Sequence, residues 1–176
     1  MIAAAVGASA ICLAAGPASG WVNHPGSSAS QATLNSAGAV SVTVSNPTPY
    51  PVRCSINFYT AEAEPELRAA TARINQVAPA VLAGGDVDAL IEYSSAITAL
   101  SPRQGAFVAG RNDGRVDAVG SQVFNFRVDA PVADRYVGSV HCDNYADAAT
   151  KDLDAAVVVA TKSGGTGGGG SWSSLG

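Results

Sequence analysis

Histidine, cysteine and methionine are scarce in this 176-residue chain, at two, three and one. Two histidines (His24 and His141) and three cysteines cannot assemble a zinc site of usual composition once two cysteines pair with each other. Charge is sparse too: 14% of residues are charged, against about a quarter in ordinary domains. The net charge of −4, with no basic cluster to override it, argues against nucleic acid as a partner. Aromatics make up 6%, so the core must be built from small aliphatic side chains. Enzyme signatures are missing as well. There is no G-x-S-x-G, and the glycine tract at 164–170 has neither a following helix nor the Lys-Ser/Thr of a phosphate loop. No cofactor is implied.

Long apolar runs are also lacking. The longest uncharged stretch of small apolar residues, 2–15, is too short to cross a bilayer comfortably and reads as the core of a signal peptide. Small residues at Ala18, Ser19 and Gly20 suit cleavage after Ala18 or Gly20, although no Lys or Arg precedes the run. Ile11 stands before Cys12 where lipidation needs a small residue, so Cys12 leaves with the leader. The mature chain is expected to be secreted or held in the cell envelope, with no membrane span. Eight arginines against two lysines, with abundant Ala, Gly, Val and Asp, suggest a GC-rich bacterial genome.

What remains after a leader at 1–20 is one domain's worth of chain. Residues 21–38 are rich in Ser, Gly and Asn and read as a flexible lead-in, with a short edge strand at Thr33 and Leu34. From residue 39 apolar and polar residues alternate: Val40, Val42 and Val44, then Val52, Cys54, Ile56 and Phe58 after a Pro-rich turn. These read as two antiparallel neighbours. The period then changes to 3.6. Leu67, Ala70, Ile74 and Val77 form one helical stripe, which Pro79 ends or kinks. Asp86 caps a second helix whose inner face is expected to carry Val87, Leu90, Ile91, Ser94 and Ile97. The helical hairpin occupies about 62–100. Strand patterning returns around Phe107, with a hairpin-turn signal at Arg111-Asn112-Asp113-Gly114. It continues through Phe124 and Phe126, then Tyr136, Val140 and Cys142, and ends in the apolar run 154–161. The Gly/Ser-rich segment 163–176 cannot form a core and reads as a flexible tail.

The expected fold is therefore mainly β: an antiparallel β-sandwich with an inserted α-helical hairpin, spanning 39–162. An α+β fold, with helices on one face of a single antiparallel sheet, is the alternative. Two cysteines left in an exported chain, Cys54 and Cys142, are most simply one disulfide. The arrangement resembles a bacterial immunoglobulin-like domain. That resemblance places the two cysteines on facing strands, bridging the sheets. The chain departs from the antibody-type pattern in lacking a tryptophan between the cysteines, and it has Val140 two positions before Cys142.

The candidate chemistry is thin. Cys54 paired with His141 or His24 could be a nucleophile, but an apolar strand face suppresses a thiolate. His141 must also point away from its neighbour Cys142. Asp143, Asp147, Asp152 and Asp154, and Asp113 with Asp117, miss calcium-loop spacing. Glu64, Glu66 and Glu92 are carboxylates on helices, where acids have ordinary structural roles. The leading expectation is an exported, non-enzymatic binding or structural module, with an envelope protein or polymer as partner. Leu67, Ile74, Val87 and Ile91 of the hairpin would be its interaction surface or would pack internally. Two rivals stand beside it: an exported hydrolase with scattered carboxylates or a serine with His141, and a carrier of a small apolar ligand under the hairpin.

Overall fold

The computed structural model describes residues 21–24, 31–35, 37–84, 86–101, 105–128, 133–144 and 151–162. The leader, the Gly/Ser-rich tail and Asp147 lie outside the described residues. Seven strands and two α-helices are described: β1 (Gln31–Leu34), β2 (Ala39–Asn46), β3 (Val52–Thr60), α1 (Glu64–Ala83), α2 (Val87–Ala99), β4 (Phe107–Val116), β5 (Gly120–Arg127), β6 (Arg135–Asn144) and β7 (Asp152–Thr161). One antiparallel sheet runs β1-β2-β5 and the other β4-β3-β6-β7. The molecule is mainly β, a two-sheet sandwich with the helical hairpin inserted between β3 and β4.

Period-2 patterning gives the larger sheet two different faces. Val52, Cys54, Ile56 and Phe58 of β3, with Tyr136, Val140 and Cys142 of β6, turn toward the smaller sheet. There they meet Val40, Val42, Val44, Phe124 and Phe126. The opposite face carries Tyr59, Val137, Leu153 and Ala155, which pack under Leu67, Ala70, Ile74 and Val77 of α1. The helices therefore form a third layer. β6 and β7, covered on both sides, are buried along almost their whole length.

Several local expectations need correction. Asn46 to Pro51 is not a hairpin; it carries the chain from one sheet to the other, since β2 pairs with β1 and β5 while β3 pairs with β4 and β6. Its three prolines, Pro47, Pro49 and Pro51, lack the N–H that a ladder would use. Asn46 instead organises the crossing, its amide donating to the Tyr50 and Asp117 carbonyls at 2.7 and 3.0 Å and its oxygen accepting from the Thr48 N–H. Asn112-Asp113-Gly114 lies inside β4, and the turn to β5 falls at 117–119, where Val119 adopts φ 49°. Gly114 serves close approach, because a Cβ there would stand 2.9 Å from the Phe124 ring. Pro79 sits within α1, which runs on to Ala83.

The Cys54 and Cys142 sulfurs lie at disulfide distance, 2.08 Å. The two residues are register partners on adjacent strands β3 and β6. The bond thus ties neighbouring strands of one sheet and does not bridge the two sheets. Its partners are 88 positions apart, so in the chain-entropy account it constrains the unfolded chain by about 4–5 kcal/mol. The lead-in is also better anchored than its composition suggests. Trp21 is 1% exposed within the sandwich core, and its indole N–H donates to the Ser45 carbonyl at 3.3 Å. Beside it the Val22 N–H bonds the Leu153 carbonyl, and His24 Nδ1 lies 2.6 Å from Asp152.

Candidate functional site

The helix-facing side of β3 and β6 changes character along its length. Tyr59 and Val137 begin it as apolar core. Three polar pairs follow in register: Asn57 with Ser139, Ser55 with His141, and Arg53 with Asp143. α1 covers the apolar part of the sheet, and the C-terminal end of α2 reaches over the polar part. Between them lies a pocket of about 230 Å³ lined by Ser55, Asn57, Ile97, Leu100, Ser101, Asn112, Ser139 and His141.

Two hydrogen bonds fix α2 above this floor. The Tyr59 hydroxyl donates to the Leu100 carbonyl at 2.7 Å, holding the helix end. The Tyr93 hydroxyl meets His141 Nε2 at 2.9 Å. Burial drives the His141 pKa down to about 4, so the imidazole is neutral at physiological pH. Its Nδ1 is 3.9 Å from Asp143, too far for a hydrogen bond. Burial raises the Asp143 carboxyl above its usual range, with Arg53 opposing.

The remaining lining groups are hydroxyls and amides. Ser55 Oγ donates to Asn112 Oδ1 at 3.2 Å across the β3–β4 pair. Ser139 and Asn57 are 2% and 6% exposed, yet neither side chain has a hydrogen-bond partner among the described residues. Both residues line the pocket. A Cβ at Gly110 would fall 2.3 Å from Asn57 Oδ1, so Gly110 is what admits the Asn57 amide to this position.

The residues expected to form an interaction surface do not share one. Leu67 and Ile74 are buried against the sheet, whereas Val87 and Ile91 are 68% and 62% exposed. The inner face of α2 is made instead by Ala89, Tyr93 and Ala96, continued by Leu100. Ile91 borders a shallow groove of about 400 Å³ between the helices, which the Arg73–Glu92 ion pair crosses. The candidate carboxylates do not converge. Glu64 accepts from Arg68 and Arg135; burial would raise its pKa, but the two guanidiniums hold it below the usual range. Among the described residues no group of three or more His, Cys, Asp and Glu could hold a metal ion. No described helix is long and apolar enough to cross a membrane.

Ser55, Asn57, Ser139 and His141 of the polar pocket are the outward half of two clearly alternating strands. What covers that outward half was not readable from the alternation. Comparison with protein-family models, curated proteins and solved structures found no match.

Proposed function

We propose that the protein is an exported binding module whose ligand site is the pocket at the junction of the helical hairpin and the larger sheet. The observation that carries this reading is the convergence of polar side chains on one pocket, with Asn57 and Ser139 making no side-chain hydrogen bond among the described residues. A ligand entering the pocket would find these two groups not taken up by hydrogen bonds to described residues. The signal-like N-terminus and the cysteine pair support export, and the envelope or the medium is where a partner would be met.

An exported hydrolase is favoured by one feature, the convergence of Ser55, Ser101 and Ser139 with His141 on the same pocket. Against it, His141 Nε2 is engaged by the Tyr93 hydroxyl. No hydrogen bond joins any of these serines to the imidazole, as an activated nucleophile requires. The carrier reading is weakened because apolar side chains fill the space beneath α1, and the open pocket beside α2 mixes polar with apolar lining.

A thermal-shift screen of envelope glycans and peptides against the wild type and Ser139→Val tests the binding reading. Ligands that raise the wild-type melting temperature and leave Ser139→Val unmoved are expected. If every stabilising compound acts equally on both proteins, the pocket is not the site.

A further inference from the structure

The pocket's lining is uniform in one respect. Ser55, Ser101, Ser139, Asn57 and Asn112 are neutral groups that both donate and accept hydrogen bonds. His141, kept uncharged by burial, adds a neutral ring. Among the described lining residues there is no lysine, arginine or carboxylate. The charged pair Arg53 and Asp143 stands one register step beyond Ser55 and His141, each partnered across the strands. Entry of a charged ligand group would strip its hydration with no counter-charge among the described lining residues to replace it. Groups that donate and accept at once match a ligand that does the same, as sugar hydroxyls do.

Size and shape narrow the ligand further. About 230 Å³ is below the range of roughly 300–1,000 Å³ that encloses a whole drug-sized ligand. One ring fits; a longer molecule must continue outside. Ile97 and Leu100 line the α2 side of the pocket and offer aliphatic surface to the C–H face of a ring, opposite the hydrogen-bonding floor on β3 and β6.

We infer that the site takes a neutral carbohydrate unit, a single pyranose ring of a larger glycan, with Asn57, Ser139 and Asn112 reading its hydroxyls and Ile97 and Leu100 covering its apolar face. This rests on the pocket being a ligand site at all, and the experiment separates the two. The oxidised full-length chain is titrated with four probes while its ¹H–¹⁵N spectrum is followed: glucose, N-acetylglucosamine, glucuronate and an N-acetyl asparagine amide. The neutral sugars are expected to shift the side-chain amides of Asn57 and Asn112 and the backbone of His141. Glucuronate should bind at least about tenfold more weakly, the cost of an uncompensated charge. Ser139→Ala should abolish the sugar-induced shifts while keeping the dispersed spectrum of the folded protein. Should a mutant spectrum collapse, Ile97→Ser, altered only at the rim, serves in its place. Glucuronate or the asparagine amide binding as well as the sugars would overturn the carbohydrate inference and leave the binding site standing. Silence from all four probes would overturn both.

Discussion

Burial keeps the His141 imidazole neutral down to about pH 4, whereas an unfolded histidine takes up its proton near 6.5. Between those values the unfolded chain binds the extra proton, so stability contributed by the neutral ring is full above pH 6.5 and lost as pH falls toward 4. The loss amounts to about 3 kcal/mol across the window. Asp143 acts with the opposite sign, because its raised pKa makes the folded state the better proton binder as pH falls. Denaturant titrations of wild type and His141→Gln at pH 7 and pH 4.5 separate the two groups. The wild type should lose the larger part of its stability on acidification, and parallel losses in both proteins would refute the assignment. The orientation of His141 was legible from its alternation with Cys142. Its bond to Tyr93 was not, because that contact joins an inserted helix to a strand 48 residues away.

At the scale of the element, the two helices show where periodicity informs and where it misleads. On α1 a single apolar stripe exists, and Leu67, Ala70, Ile74 and Val77 are indeed its buried face. On α2 two stripes satisfy a 3.6-residue period. The one with the larger aliphatic residues, Val87, Leu90 and Ile91, faces outward. Ala89 and Ala96 take the inner face beside Tyr93, which has His141 to reach. A hydrophobicity sum cannot register a distant partner. Paired substitutions give this a measurable form. Ile74→Ala should cost about 2–5 kcal/mol, as removal of a fully buried branched chain does. Ile91→Ala should stay within about 0.5 kcal/mol of wild type. Equal costs would mean that α2 packs with the other stripe inward.

Across the whole molecule, the chain's strands and helices were readable but their assignment to layers was not. Alternation tells which face of each strand is buried, and says nothing of which sheet the strand joins. So the Pro-rich crossing at Asn46 to Pro51 passed for a hairpin, and a cystine within one sheet passed for a bridge between two. The same limit hid Trp21, whose segment is polar apart from that ring and Val22 and which nevertheless completes the sandwich core. The indole, the Val22–Leu153 backbone bond and the His24–Asp152 contact together fasten residues 21–24 across the start of β7. Under the proposed export, cleavage of a leader would have to spare Trp21. N-terminal sequencing of the exported chain is expected to begin at Ser19 or Trp21. A version lacking residues 21–24 should be less stable by about 3–5 kcal/mol, the scale of emptying a tryptophan-sized core site. That is a drop in melting temperature of roughly 10 °C for a domain of this size. A processed chain that starts beyond residue 21, or a truncated version that melts with the wild type, would remove the tryptophan from the core of the working protein.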